Sequence, residues 1–82
     1  MLLDVIDTKY LRDFTLWVKF EDGTEGEIDL SDELYGPIFE PLRDLNYFKQ
    51  VRVDSELGTI AWPNGADFAP EFLYDQIHSH AT

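Results

Sequence analysis

The residues of this sequence best suited to acid–base or metal chemistry are two histidines and many carboxylates. His78 and His80 lie close together near the C-terminus, and a histidine can act as a general base near neutral pH or as a metal ligand. Residues 79–82 are predicted to be a frayed tail, where a base cannot hold the near-attack geometry that catalysis needs. The histidine pair is therefore interpreted as part of an unstructured C-terminal tail and not as a pair of metal ligands or a general base.

A second group that could do chemistry consists of three carboxylates, Asp29, Asp32 and Glu33, where a predicted strand ends in a turn. Oxygen ligands of this kind suit Ca²⁺ or Mg²⁺, but the spacing is not that of an EF-hand loop with its glycine and distal glutamate. Helix capping and solvation account for these residues without a metal. We therefore predict no metal site and no cofactor.

The sequence lacks the short motifs that mark common catalytic and nucleotide-binding sites. It has no nucleophile elbow, no phosphate-binding Walker loop, no glycine-rich dinucleotide fingerprint and no zinc-protease helix motif. The absence of cysteine excludes disulfides, thiolate metal sites and a cysteine nucleophile. We predict no catalytic residue and a protein that is not an enzyme.

The length and composition are those of one small globular domain. Residues 1–82 leave no room for a second domain, and 44% hydrophobic residues, with 15% aromatic, are enough for a core. No apolar run approaches the about 20 residues of a membrane span, and the N-terminus lacks the features of a signal peptide. We expect a soluble, cytoplasmic protein that does not bind membranes.

The charge balance is strongly acidic, with 6 Lys and Arg residues against 17 Asp and Glu residues and a formal net charge of −11. Phosphate binding depends on clustered basic residues, so direct nucleic-acid binding is not expected. A basic protein partner or a cation is electrostatically favoured. An alternative interpretation is that the acidic excess only keeps a small domain soluble.

The first hairpin is predicted from strict alternation over residues 14–20 and 24–30. A two-residue turn would pair apolar with acidic side chains and mix the two faces. A three-residue turn with Gly23 in the left-handed conformation places Leu16 opposite Ile28, and this is the turn we predict. The side chains that it places together on the outer face are Trp17, Lys19, Glu25, Glu27 and Asp29.

The other predicted elements complete an α+β fold with a small antiparallel sheet of about five strands, in two hairpins plus an N-terminal strand, and two short helices. Proline suits the first position of both helices, and a four-residue loop in the second hairpin pairs Val53 with Ile60 and Val51 with Trp62. In chain order the segments are a strand at 3–8, a connection at 10–13, a helical turn from Ser31, a helix at 41–49, strands at 51–54 and 59–62, and a helix from Pro70.

Trp17 has two interpretations. If a helix covers the outer face of the hairpin, Trp17 belongs to the core, and otherwise it marks a contact surface. We expect burial or partial burial of its side chain.

Several short motifs, taken in order, resemble those of a known protein family. They are Phe20-x-Asp22-Gly23, Ile28-Asp29-Leu30, Pro41-Leu42-x-Asp44, Phe48, Val51-x-Val53-Asp54, Gly58-Thr59-Ile60-x-Trp62-Pro63-Asn64-Gly65-x-Asp67 and Pro70-Glu71-x-Leu73-Tyr74. Together they cover nearly the whole chain, and they are similar to the domain-of-unknown-function family 2442, a set of small bacterial proteins. Ala69 departs from the acidic residue that is usual before the Pro-Glu pair.

The resemblance implies an α+β fold and a sensory or interaction role. Some relatives carry the domain ahead of a helix-turn-helix, and others are encoded beside a second small protein in an arrangement similar to toxin–antitoxin pairs. An acidic member would then be the neutralising partner of a basic protein. This is an analogy of genome context and not an argument from the residues.

Two functions remain as hypotheses. The first is a protein-interaction module that binds a basic partner through Glu25, Glu27 and Asp29, with Trp17 as an anchor. The second is a small-ligand-binding or regulatory domain that uses the turn containing Trp62, Asn64 and Asp67, although we favour a strand-to-helix corner as the interpretation of this turn. Monomer and homodimer both remain open.

Overall fold

The central hairpin follows the alternation of the sequence. The computed structural model describes residues 3–79, except for the Ser79 side chain. Strand β2 (Thr15–Phe20) pairs antiparallel with β3 (Glu25–Asp29), and Leu16 lies opposite Ile28. Gly23 has a φ of +91°, in the left-handed region. The predicted three-residue turn is therefore confirmed.

Strand β1 (Val5–Arg12) pairs with the other side of β2, which gives a three-stranded sheet in the order β1-β2-β3. The prediction of a strand at residues 3–8 is wrong at both ends, and so is the prediction of a connection at 10–13. The turn into β2 needs only Asp13 and Phe14.

The length of β1 was hidden by two irregularities in its pairing. The register shifts once between Val5 and Asp7 and again between Tyr10 and Arg12. Each shift adds a residue that has no direct partner on β2, so the side chains of β1 do not alternate with a constant period of two. A pattern search based on that period therefore finds only part of the strand.

The segment after β3 contains short helical turns. Two 3₁₀ turns cover Ser31–Glu33 and Glu40–Arg43, and a single α-helical turn, α1, covers Leu45–Phe48. The helix predicted for residues 41–49 is thus divided at Asp44. The backbone of Asp44 is extended, and its carboxylate accepts the amide N–H of Asn46 at 3.0 Å, which caps α1.

A second, separate sheet contains β4 (Arg52–Asp54) and β5 (Thr59–Ala61). Val53 lies opposite Ile60, as predicted. The predicted pair of Val51 and Trp62 lies beyond the strands, since Arg52 and Ala61 form the last pair of the ladder. The five strands of the described chain therefore form two sheets and not one, within the α+β class that the sequence predicted.

The C-terminal helix, α2 (Pro70–Ser79), starts at Pro70 as predicted and packs on the inner face of the three-stranded sheet. Gly26 of β3 allows the close approach, because a Cβ atom there would lie 3.0 Å from Cγ2 of Ile77. Leu73 of α2 is fully buried. Apart from Ser79, the predicted frayed tail lies outside the described residues.

The core lies between the inner face of this sheet, the second sheet, α2 and the segment that contains α1. Aromatic rings form much of it, and several pairs meet edge to face, a favourable arrangement for ring quadrupoles. The largest fully buried side chains are Trp62, Phe20, Phe48, Leu16, Ile28, Leu30, Leu34, Leu42, Ile60, Leu73 and Val18.

Candidate functional site

The four residues that the sequence assigns to a partner surface lie together in the structure. Trp17 on β2 is the direct neighbour of Glu27 on β3, and Glu25 and Asp29 flank Glu27 on the same face of the strand. This face is opposite to the one on which α2 packs, and we call it the outer face. The register predicted from the sequence therefore places all four side chains correctly.

The charges of the outer face are divided between strands. The basic residues lie on β1 and β2, whereas all three charged residues of β3 are acidic. The expected cluster of carboxylates is therefore present on β3, and the face as a whole carries four acidic and three basic residues. Its charged residues are Asp7, Lys9, Arg12, Lys19, Glu25, Glu27 and Asp29.

The basic residues of β1 on this face were missed by the sequence interpretation, because the predicted strand ended at residue 8 and residues 10–13 were assigned to a connection. The alternation of charged Lys9 with the aromatic Tyr10 is the pattern that indicates a strand continuing beyond residue 8. In the structure Lys9 lies opposite Trp17, and Tyr10 lies opposite Leu16 on the inner face.

Trp17 is half-buried, as expected, and its neighbours hold the indole in place. Its Nε1–H donates to Oε1 of Glu25 at 3.0 Å. The Lys9 Nζ atom lies 5.5 Å from the centre of the ring, within the range of a cation–π contact. The indole thus presents a partly exposed apolar surface between a cation on β1 and a carboxylate on β3.

Glu27 forms an exposed ion pair across the sheet. The Arg12 Nη2 atom lies 2.8 Å from Oε1 of Glu27, with more than half of each side chain exposed. The hydrogen bond and charge of Glu27 raise the pKa of Arg12. Exposed pairs of this kind contribute little to stability, so the carboxylate can exchange its partner at small cost.

A second group of polar side chains lies at the turn between β2 and β3. The hydroxyl of Tyr74 on α2 donates to Oδ2 of Asp22 at 2.9 Å, and the amide of Thr24 donates to Oδ1 at 2.8 Å. These bonds lower the pKa of Asp22, with the Thr24 amide as the largest cause. They favour the charged carboxylate, and desolvation only partly opposes them.

The Tyr74→Phe variant is expected to raise the pKa of Asp22 towards the ordinary value without reaching it, because the Thr24 amide remains. A lowered pKa in the folded state stabilises the fold above the ordinary pKa of an aspartate, and this contribution disappears as the pH falls through the lowered value. NMR titration of the Asp22 carboxyl carbon measures the shift. Tyr35→Phe, at an exposed position, is the control, and equal Asp22 titrations in the two variants would contradict the assignment.

The turn predicted as an alternative ligand site is a structural corner. Trp62 is 1% exposed and its Nε1–H donates to the Phe48 carbonyl at 2.9 Å. The Asn64 amide nitrogen donates to the Ile38 carbonyl at 2.9 Å, while its oxygen accepts the Ala66 amide at 3.0 Å. Asp67 is exposed and its backbone pairs with Ala61. Two of the three side chains are thus engaged with the protein's own backbone, and ligand binding here stays a prediction.

The other candidate residues have local partners. Asp29 accepts the Ser31 amide through Oδ1 at 2.9 Å, where β3 ends and the first 3₁₀ turn begins. The His78 ring lies against Tyr74 on α2, with the ring centres 4.4 Å apart, and His80 lies outside the described residues. Within residues 3–79 no group of three or more His, Asp or Glu side chains has an arrangement that could hold a metal ion.

Comparison with known protein families gives a match over nearly the whole chain. Over residues 5–79 the sequence matches the family described as "Protein of unknown function (DUF2442)". No curated protein and no solved structure matches it. Among residues 3–79, no helix has both the length and the apolar character needed to cross a membrane.

Proposed function

The chain belongs to the DUF2442 family, and we propose that this domain is a protein-interaction module without enzymatic activity. The description of the family gives no activity, so the proposal rests on the outer face of the three-stranded sheet. The observation that carries the proposal is the row of three carboxylates on β3, with the half-buried Trp17 beside it. An aromatic side chain next to exposed charged groups is typical of the anchor and rim of a protein interface.

The charge of the chain supports a basic partner. A formal net charge of −11 attracts a cationic protein at long range and repels nucleic acid. At short range, Glu25 and Glu27 are exposed on the last strand of the sheet. A partner that approaches along β3 therefore meets carboxylates before it meets the basic residues of β1 and β2.

The experiment compares the wild-type protein with a variant whose β3 carboxylates are neutral. Each protein is immobilised and exposed to its native cell extract at low and high salt. The substitutions keep the shape of each side chain and leave an acceptor for the Trp17 indole. They are Glu25→Gln, Glu27→Gln and Asp29→Asn. We expect one basic protein to be retained stoichiometrically by the wild type, released by salt, and bound about tenfold less by the variant.

A matched variant separates the β3 carboxylates from the total charge. Asp32→Asn, Glu56→Gln and Asp75→Asn remove the same number of charges from exposed positions elsewhere. This control should retain the partner as the wild type does, apart from a weak long-range effect that salt removes. Equal retention by the β3 variant and the wild type would overturn the proposed surface, and the absence of any basic protein would overturn the proposed function.

A role as the neutralising partner of a toxin–antitoxin-like pair is a narrower form of this proposal. It requires that the retained basic protein be harmful when it is expressed alone and harmless when it is expressed with this domain. Growth of cells that express the partner, with and without the domain, would decide this point.

A further inference from the structure

The open edge of the three-stranded sheet supports an inference about how a partner binds, and this inference rests on the proposed function. The strand order β1-β2-β3 leaves β3 paired on one side only, and no other strand within residues 3–79 pairs with it. The opposite edge strand, β1, is instead joined to the second sheet through a hydrogen bond from the Val5 amide to the Gly58 carbonyl, 2.9 Å long.

The backbone groups of β3 alternate between β2 and the open edge. The Phe20 amide donates to the Thr24 carbonyl at 2.8 Å, and the Leu30 amide donates to the Phe14 carbonyl at 2.9 Å, so hydrogen-bonded pairs stand at both ends of the ladder. In an antiparallel ladder such pairs recur at every second residue. Gly26 and Ile28 therefore bond to β2, and the intervening Glu25 and Glu27 direct their N–H and C=O groups to the open edge.

The same two residues carry carboxylates on the outer face. Residues that lie directly opposite each other in an antiparallel pair have their side chains on the same face. A strand added to β3 would thus place the side chains opposite Glu25 and Glu27 next to these carboxylates. Its intervening side chains would lie on the inner face, next to α2, where Ile77 packs against Gly26.

We infer that β3 binds its partner by antiparallel strand addition, and that the partner contributes an extended segment of alternating basic and aliphatic residues. The basic side chains lie opposite Glu25 and Glu27, and the aliphatic ones lie beside Ile77. The backbone hydrogen bonds provide a sequence-independent part of the affinity, and the alternating side chains provide selectivity.

The charge of β3 argues against a second copy of this chain as the occupant. Antiparallel pairing of two β3 strands would bring the carboxylates of both copies close together on one face. Like charges directly opposite each other destabilise a strand pair. Charged residues on an edge strand are also a common device against self-association.

The probe for this inference is a short peptide of alternating Lys and Val, acetylated and amidated at its ends. Two further peptides have the same sequence and charge and are N-methylated either at all Lys residues or at all Val residues. In the proposed pairing the Lys amides donate to β3 and the Val amides point away from it. N-methylation of Lys should therefore weaken binding at least about tenfold, whereas N-methylation of Val should leave the dissociation constant nearly unchanged.

Amide hydrogen exchange of the protein provides the second measurement. In the free protein, Glu25 and Glu27 should exchange faster than Gly26 and Ile28, which are bonded to β2. The Lys-Val peptide should slow the exchange of Glu25 and Glu27 and leave the other two amides unchanged. Protection of Glu25 and Glu27 that increases with protein concentration, in the absence of peptide, would identify a second copy as the occupant and overturn the inference.

The outcomes distinguish this inference from the proposed function. Equal binding of all three peptides, or no binding of any, overturns strand addition. Either result leaves the proposed function intact, because that function is tested by the capture of a partner through the β3 carboxylates. If N-methylation of Val is the only modification that weakens peptide binding, the antiparallel orientation is overturned. Conversely, selective weakening by N-methylated Lys together with protection of Glu25 and Glu27 supports strand addition even if the extract contains no retained protein.

Discussion

Replacing Trp62 with alanine is expected to lower the free energy of unfolding by about 3–5 kcal/mol, a large part of the about 5–15 kcal/mol available to a small domain. Trp62 is 1% exposed, and its ring lies 5.6 Å from that of Phe48 and 5.8 Å from that of Phe68, measured between centres. Alanine would leave a large cavity where the second sheet meets α1. Chemical denaturation followed by circular dichroism measures the loss.

One further variant separates the loss of the hydrogen bond from the loss of the ring, and another is a control at an exposed position. Trp62→Phe keeps a ring and removes the Nε1–H donor, but the Phe48 carbonyl still accepts the Val51 amide at 3.3 Å. We therefore expect a smaller loss, of about 1–2 kcal/mol. Tyr35→Ala, at a side chain that is 64% exposed, should change stability by about 0.5 kcal/mol or less. A loss in Trp62→Ala no larger than that in Tyr35→Ala would contradict the assignment of Trp62 to the core.

The hairpin of β2 and β3 could be predicted in detail because its apolar side chains alternate without interruption. Only one turn length places Leu16 opposite Ile28 and keeps the acidic residues on the other face. A shift by one residue would have moved every side chain of β3 to the wrong face, so the pattern determines the register. The candidate partner surface was predicted correctly to the extent that it depends on this hairpin.

The position of β3 at an open edge could not be predicted in the same way. The alternation of β2 and β3 is compatible with an N-terminal strand on either side of the hairpin. The choice depends on long-range contacts, such as the hydrogen bond between Val5 and Gly58 that joins β1 to the second sheet. Strand addition at β3 is therefore an inference from the structure.

The interruption at Asp44 illustrates a local competition that a helical pattern does not reveal. Leu42, Leu45 and Phe48 recur with a spacing of three, which favours one continuous helix. The Asp44 carboxylate instead accepts the Asn46 amide, and short polar side chains favour such caps over a position inside a helix. Leu42 and Phe48 are nevertheless both fully buried, so the pattern identified these core residues and not the shape of the backbone.

Gly58→Ala is expected to lower the free energy of unfolding by about 1–3 kcal/mol, for two independent reasons. Gly58 has a φ of +71°, in the left-handed region that costs other residues about 1–2 kcal/mol. A Cβ atom on Gly58 would also overlap the carboxylate of Asp4. The Asp4 backbone is held by Glu21, whose Oε2 atom accepts the Asp4 amide and whose amide donates to the Asp4 carbonyl. The overlap must therefore be relieved by rotation of the Asp4 side chain, which adds a smaller cost.

The cost of the left-handed backbone and the cost of the overlap can be separated, because the chain contains a glycine that has a positive φ and no such overlap. Gly23 has a φ of +91° and open space where a Cβ atom would lie, so Gly23→Ala should show the backbone cost alone. The overlap is measured by combining Gly58→Ala with Asp4→Ala, and the double variant should be more stable than the sum of the single effects predicts. Strict additivity would contradict the overlap and leave φ as the whole cause. Positive coupling would instead show that the Asp4 carboxylate lies against Gly58, as the hydrogen bond from the adjacent Val5 amide to the Gly58 carbonyl requires of this end of β1.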